Sequence, residues 1–512
     1  MSRLTTSSPP TVLLTGATGA MGRRALQRML ADQEDYHLLV LAQGMPRDRE
    51  VLSRYRGAPG LRVLRGDLSD TGVVERCVAA ADIICHLAAL VPPAADKLPR
   101  LAMEVNYGST RALLDAIHLQ GRADAVRLVW IGTVAQTGDR MPPIHWGRVG
   151  DPIKPSIFDY YAVSKVAAER AVIDSGLARW VSLRQTGIMS PAMVRIVDPI
   201  MFHNPFDNAL EYVSDRDSGR MLRNLVRAEV RGELPAQFWG HVYNVGGGAS
   251  CRAPAHELYG RVYRDLGIRD PDLVLHPRME ATRNFHGHYY LDSNRLEGYL
   301  RFRRDSIEYF YELYRRRLGA AARVARAVCA LPGGQRLVGA AVSGGLRHLA
   351  RRERGTLHIL EHGAQEEIDA YWGSRAAWEA LPERGRDMRR FKDWDTVVPI
   401  DHGYDESAPE SALDRAAVAG AARFRGGELL SQNMVTGDWR TPLRYRCAFG
   451  HEFTGSPRLI LEGGHWCEVC ERQSWNYGRR AQVDPFFAQV WTPLHDPQEL
   501  REYPKMISEL DV

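Results

Sequence analysis

Apolar residues in the first half of the chain fall into short runs separated by longer stretches with helical spacing. Residues 11–14, 36–41, 61–64, 82–87, 127–131 and 180–183 are such runs, rich in Val, Ile and Leu and too short for helices. Between them, residues 23–30, 98–119 and 160–175 bring apolar side chains back every three or four positions, the period of a helix with one buried face. Strand alternating with helix predicts an α/β fold: a doubly wound parallel sheet, with ligands gathered beyond the carboxyl ends of its strands. Residues 309–354 read as two more helices, broken at Pro332, Gly333 and Gly334 and studded with arginine. The expected arrangement is a hairpin packed on the domain before it with a solvated arginine face; the alternative open to a basic amphipathic helix is an anionic membrane or an acidic partner.

Chemistry concentrates at the predicted strand ends. Gly16, Gly19 and Gly22 stand between the first strand and the first helix, with Thr18, Ala20 and Met21 among them. Glycines there permit a tight turn, a close backbone approach to a diphosphate and close helix packing, while the helix N-terminus offers unpaired N–H groups to anionic oxygens. Asp67 and Leu68 follow the third strand, where a carboxylate can accept from an adenine amino group. His86, Leu87, Ala88 and Ala89 close the fourth, and the small residues let a nucleotide lie against the backbone. Asn106 lies in the long helix, placed to bridge the fourth strand to the site. Thr133 follows the fifth strand, and Tyr161 and Lys165 share one face of the next helix. An ammonium beside a phenol is expected to lower the phenol's pKa, making Tyr161 a proton carrier near neutral pH, with the Thr133 hydroxyl on the same substrate oxygen.

As an ensemble these motifs resemble the extended short-chain dehydrogenase/reductases, the NAD-dependent epimerase/dehydratase superfamily, over residues 10–310. The resemblance implies a Rossmann core with a small substrate lobe at about 186–300, and a catalytic Thr133–Tyr161–Lys165 set assisted by Asn106. It also implies a nicotinamide dinucleotide held by Gly16, Thr18, Gly19, Ala20, Met21, Gly22, Asp67, Leu68, Leu87, Ala88, Ala89, Tyr161 and Lys165. Residues 183–187 and 243–247 resemble later strands of the same fold. Several positions depart from the pattern. Threonine stands for the usual serine at 133, and Gln136, Thr137 and Gly138 stand where a tyrosine is usual. Val134 and Ala135 replace the acidic pair of sugar-nucleotide dehydratases, which argues against that subclass. The second strand lacks the terminal acid that holds a ribose 2′-OH, and Arg47 and Arg49 follow it, which favours NADP(H) over NAD. The reaction implied is oxidation or reduction at a hydroxyl or carbonyl of a small molecule. The alternatives are epimerisation with the cofactor recycled, or a non-enzymatic dinucleotide sensor or scaffold.

A second signal lies near the C-terminus. Cys447, His451, Cys467 and Cys470 have the ligand types and spacing of a closed tetrahedral zinc site, a zinc ribbon over about 440–475. Phe453, Leu459, Ile460 and Leu461 are expected to supply its hairpin, His465 is a rival ligand, and the aromatic segment 485–491 is expected to cover a neighbouring surface. Such a metal is structural, and the module suits protein contact or dimerisation. The chain thus divides into 1–310, a basic helical linker at 311–355, and a C-terminal domain at 356–512.

Composition restrains these readings. A net charge of +5 does not by itself imply nucleic acid, and no run is long and apolar enough to cross a membrane, so neither is an expected partner. Residues 1–10 are rich in Ser, Thr and Pro without the apolar core of a leader. With seven cysteines in 512 residues and no disulfide pattern, the expected compartment is cytoplasmic, with thiols reduced.

Overall fold

In the computed structural model, which describes residues 9–505, the apolar runs become one seven-stranded sheet. Its strands are β1 (Thr11–Thr15), β2 (His37–Ala42), β3 (Leu61–Arg65), β4 (Ile83–His86), β5 (Arg127–Thr133), β6 (Arg179–Gln185) and β7 (His241–Val245). They lie in the order β7-β6-β5-β4-β1-β2-β3, and every neighbouring pair is parallel. All but the edge strand β3 are largely buried on both faces, which is why they read as runs rather than as alternation. After β3 the chain crosses back to lay β4 on the other side of β1. The strand order therefore reverses between β1 and β4, which opens a crevice at their carboxyl ends. Residues 1–8, with most of the segment judged not to be a leader, lie outside the described residues.

Helices cover both faces. α1 (Ala20–Met29) lies on one side; α2 (Thr71–Ala80), α3 (Ser109–Leu119) and α4 (Tyr160–Ile173) lie on the other. α5 (Asp215–Val230) joins α1, and Ala25 and Leu26 meet Met221, Leu222 and Leu225 over Val12 and Leu14. α4 starts where the Asp159 carboxylate accepts from the Ala162 N–H at 2.8 Å, an N-cap. Its Ala168 and Val172 pack with Leu113 and Ile117 of α3 over Leu128 and Trp130 of β5.

The basic stretch forms α6 (Glu308–Cys329) and α7 (Gly334–Ala350), broken at the expected Pro332 and Gly333. Farther on, β8 (Glu428–Leu429), β9 (Leu443–Arg446) and β10 (Glu452–Gly455) make a three-stranded antiparallel sheet. The hairpin β9–β10 flanks the Cys447–His451 turn. Of the residues expected to supply that hairpin, only Phe453 lies in it. Leu459, Ile460 and Leu461 instead form a π-helical turn, Arg458–Glu462, because their side chains are shared between two cores. Ile460 and Leu461 fill the module with Tyr445, Phe453 and Trp466, while Leu459 enters the core under α3 and α4. The aromatic segment covers α4 itself: Phe486, Phe487, Val490 and Trp491 pack with Tyr160, Val163 and Ala167.

Four histidine rings are driven strongly down, and desolvation is the first cause for each: His86 and His288 to about 3, His203 and His495 to about 4. Below pH 6.5 the unfolded chain protonates these rings and the folded chain does not. Stability is therefore lost as pH falls from 6.5 toward 4, by up to about 1.4 kcal/mol per pH unit for each ring. Thermal melts are expected to show a lower Tm at pH 5 than at pH 7; equal values would contradict the assignment.

Candidate active site and metal centre

The glycine turn is braced on the end of β4. The Thr15 hydroxyl oxygen accepts from the Leu87 and Ala88 N–H groups at 3.1 Å each, and lies 2.9 Å from His86 Nδ1. Gly16 has φ +67°, and a Cβ there would stand 2.7 Å from the Ala88 nitrogen. At Gly22 a Cβ would stand 2.1 Å from the Gly16 carbonyl oxygen. Gly19 opens α1 in an extended conformation with no side-chain cap, which leaves the first N–H groups, on Ala20, Met21 and Gly22, open to an anionic ligand.

Thr18 is held by a residue that the motif reading missed. Its hydroxyl donates to Asp48 at 2.7 Å, and the other Asp48 oxygen accepts from the Gly44 and Met45 N–H groups at 3.0 and 3.2 Å. The available signal was Pro46 followed two residues later by an acid, the start of a short helix. Asp67 is oriented by the Ser69 N–H and hydroxyl, both at 2.9 Å, and by the Gln43 amide. Burial opposes its ionisation, but these bonds hold the carboxyl below its ordinary range. Leu68 packs beside it on the core under α2. Half-buried Arg23 is held below the usual guanidinium range by burial and then by repulsion from Arg47. Among the described residues no carboxylate pairs with Arg23, Arg47 or Arg49.

Thr133 ends β5, and Tyr161 is the second residue of α4. The Thr133 side chain acts on the phenol, and its Oγ1 accepts from the Ala135 N–H at 3.2 Å. Neighbouring Tyr160 packs edge-on against Trp475 instead. Lys165 Nζ donates to the Ile131 carbonyl at 2.8 Å and lies 4.7 Å from the Trp130 ring. Burial pushes the Tyr161 phenol up to about 12, with the Thr133 bond opposing, and pushes Lys165 down to about 7. The expected lowering of the phenol by Lys165 is therefore not produced by these side chains: the ammonium is spent on a backbone carbonyl, and desolvation dominates both groups. Asn106 bridges as expected. Its amide exchanges two hydrogen bonds with Leu90, at 2.8 and 3.0 Å, and donates to Ser164 Oγ at 2.9 Å.

One turn beyond Lys165 lies Glu169, fully buried and absent from the sequence reading. Its carboxylate accepts from Ser182 Oγ at 2.6 Å, Arg184 Nε at 3.1 Å and Arg184 Nη2 at 2.6 Å. It also accepts from Gln136 Nε2 at 2.7 Å and lies 3.1 Å from His465 Nε2. Gln136 in turn accepts from the Thr133 N–H at 2.8 Å. Burial resists the charge, but Arg184 and then His465 hold the carboxyl down to about 2. Around it the C-terminal module docks on α4. Arg184 donates to the Gly463 carbonyl at 2.6 Å, Arg170 to the Trp466 carbonyl at 2.8 Å, and Ser456 Oγ to Asp174 at 2.5 Å.

A small cleft of about 50 Å³ opens beside this site, lined by Asp96, Phe158, Asp159, Asp198, His286 and Tyr371 among others. Asn284, Phe285 and His286 line the cleft, whereas Tyr289 and Tyr290 pair with Trp146 and Gly147 as a short buried strand. Phe158 takes φ +70°, rare for a bulky residue, immediately before the Asp159 cap. Burial and then Asp159 raise the Asp96 carboxyl to about 7.

The four C-terminal metal-ligand candidates converge. His451 Nδ1 lies 3.5, 3.7 and 3.2 Å from the sulfurs of Cys447, Cys467 and Cys470, and all four ligand atoms fall within 4.8 Å of one another. These spacings suit the edges of a tetrahedron around an ion bound at ~2.0–2.3 Å. His465, the rival ligand, turns away toward Glu169.

Part of the chain is similar to known proteins. Residues 12–195 match the model of the NAD dependent epimerase/dehydratase family. D-erythronate dehydrogenase of Cupriavidus necator is 30% identical over 169 residues, 32% of this chain and 49% of that protein. A 3 beta-hydroxysteroid dehydrogenase/Delta 5→4-isomerase of Mycobacterium tuberculosis is 27% identical over 239 residues, 44% of this chain and 59% of its own. The chain thus spans about half the length of these curated relatives. Among solved structures, the dTDP-glucose 4,6-dehydratase DesIV of Streptomyces venezuelae, with NAD and TYD bound, covers 60% of this chain and 98% of its own at 22% identity and TM-score 0.47.

Glu169→Gln leaves the buried Arg184 without its counter-charge. It is expected to cost about 3–5 kcal/mol of stability, read by chemical denaturation; a cost below about 1 kcal/mol would show that the network is not stabilising.

Proposed function

We propose that the chain is an NAD(P)-dependent oxidoreductase that acts on a hydroxyl or carbonyl of a small molecule. The observation that carries this reading is the placement of Thr133 at the end of β5 and of Tyr161 in the first turn of α4, at the same end of the sheet as the glycine turn, with the Thr133 side chain acting on the phenol. The turn fits a dinucleotide: a Cβ at Gly16 or Gly22 would fill the close approach, and the helix behind it has no side-chain cap. In this reading the α1 N–H groups hold the diphosphate and Asp67 and Leu68 border the adenine. Leu87, Ala88 and Ala89 lie along the nucleotide, and Lys165 and Tyr161 hold the nicotinamide ribose. The nicotinamide, when bound, supplies a hydride donor or acceptor. Tyr161 gives or takes the proton at the substrate oxygen, Thr133 orients that oxygen, and Asn106 keeps α4 in register with the loop after β4. Lys165, brought to about 7, exchanges a proton in the range where the reaction runs.

Arg23 and Arg47, repelling each other and free of carboxylates, support NADP(H): a 2′-phosphate relieves that repulsion. A zinc ion at Cys447, His451, Cys467 and Cys470 would be structural, and the module's first partner is α4 of its own chain.

Tyr161→Phe is expected to lower kcat by roughly 10³-fold while leaving NADPH affinity, followed by fluorescence, unchanged; retained turnover would remove Tyr161 from the mechanism. Arg47→Ala should weaken NADPH more than NADH. Metal analysis should find one zinc per chain in the wild type and none in Cys467→Ser; a metal-free wild type would end the zinc assignment.

A further inference from the structure

From residue 313 to residue 352 the chain carries nine arginines and no Asp or Glu. This stretch is the hairpin of α6 and α7. The first half of α6 is anchored, with Tyr309, Phe310, Tyr311 and Leu313 in the core of the substrate lobe. At Gly319 the helix breaks, with φ +50° and ψ −120°. Beyond the break, Ala322 and Cys329 face inward, while Ala320, Val324, Ala327 and Leu331 fall at helical spacing on the open side. Val324 and Leu331 are each 63% exposed, and across the turn Leu337 of α7 is 67% exposed. Three arginines have local partners: Arg315 with Asp265, Arg316 with Glu312 and Arg351 with Glu361. Arg317, Arg323, Arg326, Arg336, Arg347 and Arg352 are exposed, and among the described residues none has a carboxylate partner.

We propose that this hairpin is a docking surface for an anionic lipid bilayer. An exposed aliphatic stripe flanked by unpaired arginines is the chemistry of a helix that lies in the membrane interface, its apolar side chains among the acyl chains and its guanidinium groups among the phosphates. No helix among the described residues is long and apolar enough to cross a membrane, so the hairpin lies on the bilayer. A second copy of the chain fits the stripe poorly. Pairing the same face across a two-fold axis sets six unpaired arginines against six. Nucleic acid fits poorly too, since residues 315–354 offer no Phe, Tyr or Trp to stack on a base and an aliphatic ridge gains nothing from phosphates.

The test is co-sedimentation of the full chain with vesicles of phosphatidylcholine alone and of phosphatidylcholine mixed with phosphatidylglycerol. Binding is expected only to the mixed vesicles, and it should weaken as salt is raised. Arg323→Glu/Arg326→Glu and, separately, Leu331→Ser/Leu337→Ser should each weaken it by about tenfold or more. All four side chains are exposed, so both variants should keep the wild-type melting temperature, which separates lost docking from lost folding. No binding to mixed vesicles, or equal binding to both kinds, overturns the proposal. So does a wild-type dimer in sedimentation velocity that Leu331→Ser/Leu337→Ser dissociates while vesicle binding is unchanged, or tight binding to duplex DNA without binding to vesicles.

Discussion

A single buried carboxylate, Glu169, sets the constraint on which the candidate site rests. A charge in the interior must be fully satisfied, and this one draws its partners from several places at once: Ser182 and Arg184 on β6, Gln136 after β5, and His465 in the C-terminal module. Each partner has a second duty. Gln136 fixes the backbone of Thr133, and Arg184 holds the Gly463 carbonyl. Since Glu169 shares α4 with Tyr161 and Lys165, satisfying this charge also fixes where the phenol and the amine stand.

The same dryness tunes the site. Tyr161 is driven up and Lys165 down because neither charged form is welcome there, so two proton affinities that ordinarily lie close together are driven apart. The helix is wrapped on its outer side by the module and by the aromatic segment, and on its inner side by the sheet. The burial that perturbs these groups is therefore partly supplied by residues remote in sequence.

What the sequence made legible was local or periodic. Buried parallel strands read as apolar runs, the glycine turn is compressed into eight residues, and the bridging role of Asn106 follows from the fold those elements define. The convergence of Cys447, His451, Cys467 and Cys470 was readable from ligand spacing alone. Asp48, Glu169 and the docking of the module were not, because each depends on a partner chosen by tertiary contact. Leu459 to Leu461 pointed to a strand, having the composition of one; only the packing of Leu459 into the neighbouring core explains the π-helical turn. The effect of Lys165 on Tyr161 was misjudged for a related reason: spacing places two groups on one helix face but says nothing of how much water reaches them.

Glu169 and His465 are separated by 296 positions along the chain. A ribosome adding ~5–20 residues per second needs about 15–60 s to pass from one to the other. Within that interval β6 and β7 complete the sheet, yet the outer side of α4 still lacks both its module and its aromatic cover. The nascent chain therefore spends part of that time with its sheet made and the outer side of α4 bare, until residues 456–491 emerge to close over it.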